Sequence, residues 1–441
     1  MTNHPTLIMN YLNYISEAEK TILALCKRLN RYAHKLTAEE LRSDAECTRL
    51  GITEPKDVMA VIDHMKVKLQ RGVKPFENEV IFHTGPHHDD IMLGIMPLIN
   101  RQLRCPNNEV HFGIATSGYN SVTNDYLNQA IADTLCYLRQ GEIQMVNYPD
   151  FFEKGYLFKR DKDVYHYLDN VASKNEHEMR RGFCHRFLRN AVGIWQPKDL
   201  NELVARFEAA QQLLNDKPQK AHDDPDLQQL KGMIREFEEE LVWAYTGVSV
   251  KNVHHLHLGF YKDSHDFPNY ERDVEPVLRQ LRAIKPSTIT VIMDPMNAGP
   301  TNTHYKVLQT VAKAIEAWNQ ETDLCQLKII GYRNVWSTFT PEEANIIVPV
   351  SLNSFAVIEK AFRDSYLTQV EAEFPNPDFD GTFSELSESI WVRQLKDVQF
   401  LLGKDYFYEN AHPLIRATHG LIFLKQMNVN EFLQVAEQMK R

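Results

Sequence analysis

The chain has 441 residues, 43% hydrophobic and 24% charged, an ordinary globular composition with ample apolar material for a large core. Its 59 acidic against 49 basic side chains leave a formal charge of −10, which argues against non-specific binding to nucleic acid or an anionic membrane surface. No apolar run is long enough to span a bilayer, no signal-peptide pattern opens the chain, and the 6 cysteines form no C-x-x-C pair, so a cytoplasmic protein with reduced thiols is expected.

Residues 1 to about 75 read as helices. Ile22, Leu25, Leu29 and Tyr32 recur at helical spacing, Thr37-Ala38-Glu39-Glu40 has the form of a capping start, and Val58, Val61, Ile62, Met65 and Val67 mark a third stretch over 55–70. Nothing there carries chemistry, and the segment is expected to cap the main domain. Residues 79–84 form a first strand. It runs into Gly85-Pro86-His87-His88-Asp89-Asp90, and the apolar run from Ile91 to Met96 reads as a helix packed back on the strand. Ligands bind at the carboxyl ends of strands in open α/β sheets, and imidazole with carboxylate suits zinc or a related divalent ion. Taken alone, the stretch serves equally well as a turn and a helix cap.

A second strand over 109–116 ends in Ser117-Gly118-Tyr119-Asn120, which places Thr116, Ser117 and Asn120 on the same rim; a tight turn on Gly118 explains them as well. From about 122 to 250 the chain is helical and charged and reads as an insertion between strands. Arg180, Arg181, Arg186 and Arg189 read as a solvated helix face, and a long helix over 228–246 ends at Gly247. Residues 253–258 read as a strand on which His255 and His257 share a side. A helix over 277–284 follows Pro276, and 288–293 is a buried strand by its β-branched content. The polar loop from Asp294 enters a helix at His304, 327–332 is a further strand, and 350–441 is mainly helical.

Strands alternating with helices imply an α/β fold: a Rossmann-like, doubly wound, mostly parallel sheet. The division is a helical segment 1–75, an α/β domain 76–350 with its insertion at about 122–250, and a helical segment 351–441. In a parallel sheet the loops carrying His87 and His304 open at the same edge.

The order of a strand, Pro86-His87-His88-Asp89-Asp90, a strand ending Thr116-Ser117-Gly118 and a later His304 just inside a helix resembles the PIG-L/LmbE superfamily of metal-dependent N-acetylglucosaminyl deacetylases. More closely it resembles the LmbE-like domain fused to glucosamine-6-phosphate deaminase in some bacteria. Leu230-Lys231-Gly232-Met233-Ile234-Arg235, Phe260-Tyr261, Tyr332-Arg333-Asn334-Val335-Trp336 and Ile347-Val348-Pro349-Val350-Ser351 fit that subgroup. The similarity runs from about 76 to 380, and no stretch resembles the fused deaminase domain.

The resemblance implies that His87, Asp90 and His304 bind Zn2+, with Fe, Mn or Co as alternatives, and that Asp89 is the general base. His88, Asn120, Arg235, Thr301 and Arg333 are the candidate substrate contacts. Arg235 and Glu238 match an Arg and a Glu of the family; the Arg either meets a sugar or phosphate oxygen or forms a structural ion pair. Arg333 and Trp336 suit a sugar pocket, although Trp336 reads more readily as core, and His412, Arg416 and His419 read as surface or a domain contact. His88 stands where the family has Pro, Ile91 where it has an acidic residue, and Thr301 where it has the first His of His-x-x-His. Loss of one oxyanion donor costs on the order of a hundredfold in rate. The expected function is a zinc-dependent hydrolase deacylating an N-acetylglucosamine-type amino sugar or sugar phosphate, with no nucleic-acid or membrane partner. The alternatives are a catalytically impaired sugar-binding relative and a glucosamine-6-phosphate deaminase-related protein. A homo-oligomer is compatible with the sequence.

Overall fold

Seven strands form one sheet: β1 (Val80–Gly85), β2 (Glu109–Ile114), β3 (Val253–His255), β4 (Thr288–Ile292), β5 (Lys328–Tyr332), β6 (Ile346–Ser351) and β7 (Thr418–Met427). The structure is a computed structural model, and it describes residues 4–148, 150–154, 159–218, 224–262, 267–295, 301–370, 372 and 379–439. The strand order is β3-β2-β1-β4-β5-β7-β6. β1 pairs in parallel with β2 and with β4, which in turn carry β3 and β5, also parallel. β7 runs antiparallel between β5 and β6.

The central strands are rich in apolar residues and buried past their first positions because both faces are covered. Every residue of β4 is buried. Alternate side chains feed two cores: Phe82, Ile289, Val291 and Ile329 pack on one face, Ile81, Phe112, Ile292 and Ile330 on the other. The N-terminal helices join the first of these cores, and Thr37 starts one of them with a full capping box. Helix Pro55–Val73 lies so close to β6 that a Cβ at Gly72 would stand 1.7 Å from the Ile347 carbonyl oxygen, so only glycine fits.

Two sequence expectations need correction, and one strand was missed. The stretch 350–441 is mainly helical but also holds β7, which spans 10 residues. Its Gly-Leu-Ile-Phe-Leu run is short and apolar, and such runs do not separate strand from helix by periodicity. β3 stops at His255 rather than continuing to 258; His257 takes φ +50°, which no extended strand accommodates. The solvated arginine face also fails for two of its members. Arg186 and Arg189 are 1% and 4% exposed. Arg186 is ion-paired with Glu240, and Arg189 Nε lies 2.6 Å from Asp163 Oδ2. A buried guanidinium survives only where a carboxylate meets it, and helices Arg160–Ser173 and Pro225–Tyr245 supply those carboxylates. Among the described residues no helix is long and apolar enough to cross a membrane.

Candidate metal centre

β1 and β4 are parallel neighbours, so their carboxyl ends open on the same edge. After β1, the turn 86–89 leads straight into helix Asp90–Leu103. After β4 come Met293 and Asp294, and helix Thr301–Glu321 begins beyond the loop. The loop 296–300 and the side chains of Thr301 and Asn302 lie outside the described residues, so the Thr301 contact has no placement here.

At this edge His87, Asp90 and His304 converge. His87 Nδ1 lies 3.2 Å from Asp90 Oδ2, and His304 Nε2 lies 3.3 Å from each of those two atoms. An ion bound tetrahedrally at about 2.0–2.1 Å sets its ligand atoms about 3.3–3.4 Å apart. The three side-chain atoms thus already have the spacing of three corners of such a site, and two imidazoles with one carboxylate form a donor set that fits zinc or a related divalent ion.

The atoms not facing the centre are held from behind. His304 Nδ1 bonds Asp294 Oδ2 at 2.7 Å, which fixes Nε2 toward the cluster, and Ser337 donates to the other Asp294 oxygen. Asp90 Oδ1 accepts from Asn334 Nδ2 at 2.6 Å, and Oδ2 accepts from the His87 backbone N–H at 2.8 Å. Burial disfavours the Asp90 carboxylate, but His304 and His87 outweigh it and hold its pKa below the usual range. Neither Asp294 nor Asn334 stood out among the candidate residues of the sequence. Asp294 stands two residues past the end of β4, and that position is the only local signal it carries.

Asp89 occupies the N-cap position of helix Asp90–Leu103, yet its side chain makes no capping hydrogen bond. It is therefore not used as a cap. It stays partly open to solvent, with Oδ2 3.6 Å from Nη2 of Arg235. Arg235 is 1% exposed and is fixed by Glu238, whose Oε2 lies 2.6 Å from Nη1. Of the two alternatives for Arg235 the structure displays the ion pair, with Glu238, and its guanidinium also reaches Asp89.

The remaining candidates separate. His88 turns inward, 1% exposed, and stacks on His255 at 5.7 Å beneath the turn at Gly118. Burial and then the Arg235 charge lower its pKa well below the usual histidine value, so it is a neutral imidazole. Asn120 is exposed and hydrogen-bonds Tyr261, whose ring meets His87 edge-on at 5.8 Å. Arg333 is committed elsewhere: it donates to the carbonyls of Met293 and Thr338, each at 2.9 Å, and lies 4.1 Å over the Phe339 ring. It braces the loop behind the cluster without joining it. Trp336 packs partly buried against the sheet core. His255 and His257 face Glu240 and Glu236, at 3.5 and 2.7 Å, rather than the His87/Asp90/His304 cluster. His412 and His419 are exposed.

No protein-family model matches the chain. A protein of Bacteroides thetaiotaomicron described as a putative glucosamine-6-phosphate deaminase-like protein is 29% identical over 192 residues, which cover 43% of this chain and 28% of that protein. The matched stretch thus spans well under half the length of that relative.

Proposed function

We propose that the protein is a metal-dependent hydrolase that removes the acyl group from an amino sugar of the N-acetylglucosamine type, on an LmbE-like fold. The observation that carries this reading is the His87/Asp90/His304 triangle of 3.2–3.3 Å with an uncapping carboxylate, Asp89, next to it in the chain. His87 Nδ1, Asp90 Oδ2 and His304 Nε2 would hold the ion, zinc by preference. When bound by three protein ligands, such an ion brings the pKa of a water to about 7 and polarises a carbonyl.

The rest falls to the chain's own side chains. Asp89 accepts a proton at a carboxylate oxygen as the amide carbonyl is attacked. Returning that proton to the departing amine nitrogen completes cleavage of the C–N bond. Arg235, held by Glu238, keeps the Asp89 carboxylate oriented from behind. The amino-sugar substrate is supported by the sequence resemblance and by the description of the Bacteroides relative as glucosamine-6-phosphate deaminase-like.

The test is metal content and acetate release from N-acetylglucosamine and its 6-phosphate. About one ion per chain and release of acetate are expected. An Asp89→Asn variant should keep the ion and lose about a hundredfold to ten-thousandfold in turnover. Protein purified without chelator that holds no ion rejects the reading.

One observation favours a second reading, a sugar-binding relative without turnover: Thr301 stands where the resembled family has a histidine. In that case a sugar phosphate raises the melting temperature while no acetate appears. Ammonia released from glucosamine-6-phosphate would instead place the activity with the deaminases.

A further inference from the structure

A cavity of about 770 Å³ lies between the end of the first helix, His4–Leu29, and the helix Phe383–Leu402. That volume falls within the roughly 300–1,000 Å³ that holds small organic ligands. Arg31, Lys35, Lys396 and Lys404 line it together with the rings of Tyr32 and Phe400. Among the described residues neither Asp nor Glu lines it, in a chain whose net charge is −10. Arg31 shares its charge with Glu40 at 3.2 Å. Among the described residues Lys35, Lys396 and Lys404 make no ion pair.

Compensation of the two long helix dipoles does not account for these cations. That role belongs to basic residues in a helix's last turn. In the first helix they are Lys27 and Arg28, which do not line the cavity, and the last turn of Phe383–Leu402 has none; of the lining cations Lys35 alone sits in a last turn, that of the three-residue helix Ala33–Lys35. A concave site lined by one sign of charge concentrates the opposite charge, and ammonium and guanidinium groups are the side chains that bind phosphate oxygens. The rings add a second feature. Tyr32 is held by stacking on His34 at 5.8 Å and 21°, and Phe400 is anchored against the core.

We infer that this cavity binds a nucleotide-like organic phosphate: two or more negative charges met by the lysines and Arg31, and a planar ring met by Tyr32 and Phe400. None of these residues belongs to the metal cluster, so the inference stands apart from the proposed hydrolase activity.

Calorimetric titration of the full chain with ADP, and with inorganic pyrophosphate as the ring-free control, at about 0.15 M salt tests it. Saturable binding of one ADP per chain is expected, with pyrophosphate at least tenfold weaker. A Lys35→Glu/Lys396→Glu variant should bind ADP at least tenfold more weakly while its metal content stays unchanged. Should that variant not fold, Lys404→Ala at an exposed position is expected to weaken ADP at least threefold. Absence of saturable ADP binding, pyrophosphate binding as tight as ADP, or equal ADP affinity in wild type and a folded variant overturns the inference.

Discussion

The Nδ1 of His304 and the Oδ2 of Asp294 are joined by a 2.7 Å hydrogen bond between two buried side chains 10 residues apart. This bond decides which imidazole nitrogen faces His87 and Asp90. A ligand histidine whose far nitrogen is bound to a carboxylate is fixed in tautomer and orientation, and loss of that partner typically lowers metal affinity about 10–100-fold. Asp294→Ala should therefore weaken metal binding by that factor in a chelator competition, with the fold retained by circular dichroism. Unchanged affinity would show that His304 is oriented by packing alone.

Protons compete for the same position. Burial by itself lowers the pKa of His304, but the Asp90 and Asp294 carboxylates more than offset it and push the imidazole from 6.5 up to about 10. The metal-free protein thus holds a proton on His304 between those values, where a cation would sit. Ion uptake must displace it, so affinity should rise with pH by up to about tenfold per unit until pH about 10. Titration in buffers of different ionisation enthalpy should report release of a proton per ion across pH 7–9; none released contradicts the assignment. The same shift stabilises the metal-free fold. Because the folded pKa is the higher one, that contribution is complete below pH 6.5 and is lost as pH rises through about 10.

Glu240 is 1% exposed and ion-paired with Arg186, also 1% exposed, and with Arg160 at 2.6 Å. Arg186 would be left as a buried charge without a carboxylate in Glu240→Ala. Breaking a buried pair on one side costs about 3–5 kcal/mol. Urea unfolding should show that loss, while Glu240→Leu/Arg186→Met should recover much of it. A single variant within about 0.5 kcal/mol of wild type would mean that water reaches the pair.

Gly118 combines φ +61° with a close neighbour: a Cβ there would stand 3.0 Å from His88 Nδ1. Gly118→Ala is strained in the backbone and crowds His88, so a loss of about 1–2 kcal/mol is expected from thermal melting. An unchanged melting temperature would show that the 117–120 turn rearranges freely.

Much of the fold is legible in consecutive residues. The β-branched run of β4, the capping box at Thr37 and the Gly-Pro turn after β1 each act over a few positions, where steric preference and local hydrogen bonding decide the outcome. The antiparallel β7 is not legible in this way. Its apolar run acquires its conformation by pairing with β5 and β6, which lie far away in the chain.

The candidate site divides along the same line. From the sequence alone come the residue types and their places at strand ends: His87, Asp89 and Asp90 after β1, and His304 entering a helix after β4. The tertiary structure alone decides that His88 turns inward while its neighbour His87 joins the cluster, that Arg333 spends its guanidinium on backbone carbonyls, and that Arg186 is buried against Glu240. The physical reason is distance along the chain. Backbone propensity and turn chemistry act between neighbouring residues, whereas burial, ion pairing and the direction of an imidazole nitrogen are set by partners that the chain separates by 10 positions (Asp294 and His304), 54 (Arg186 and Glu240) or 217 (His87 and His304), and only the folded packing brings those partners into reach.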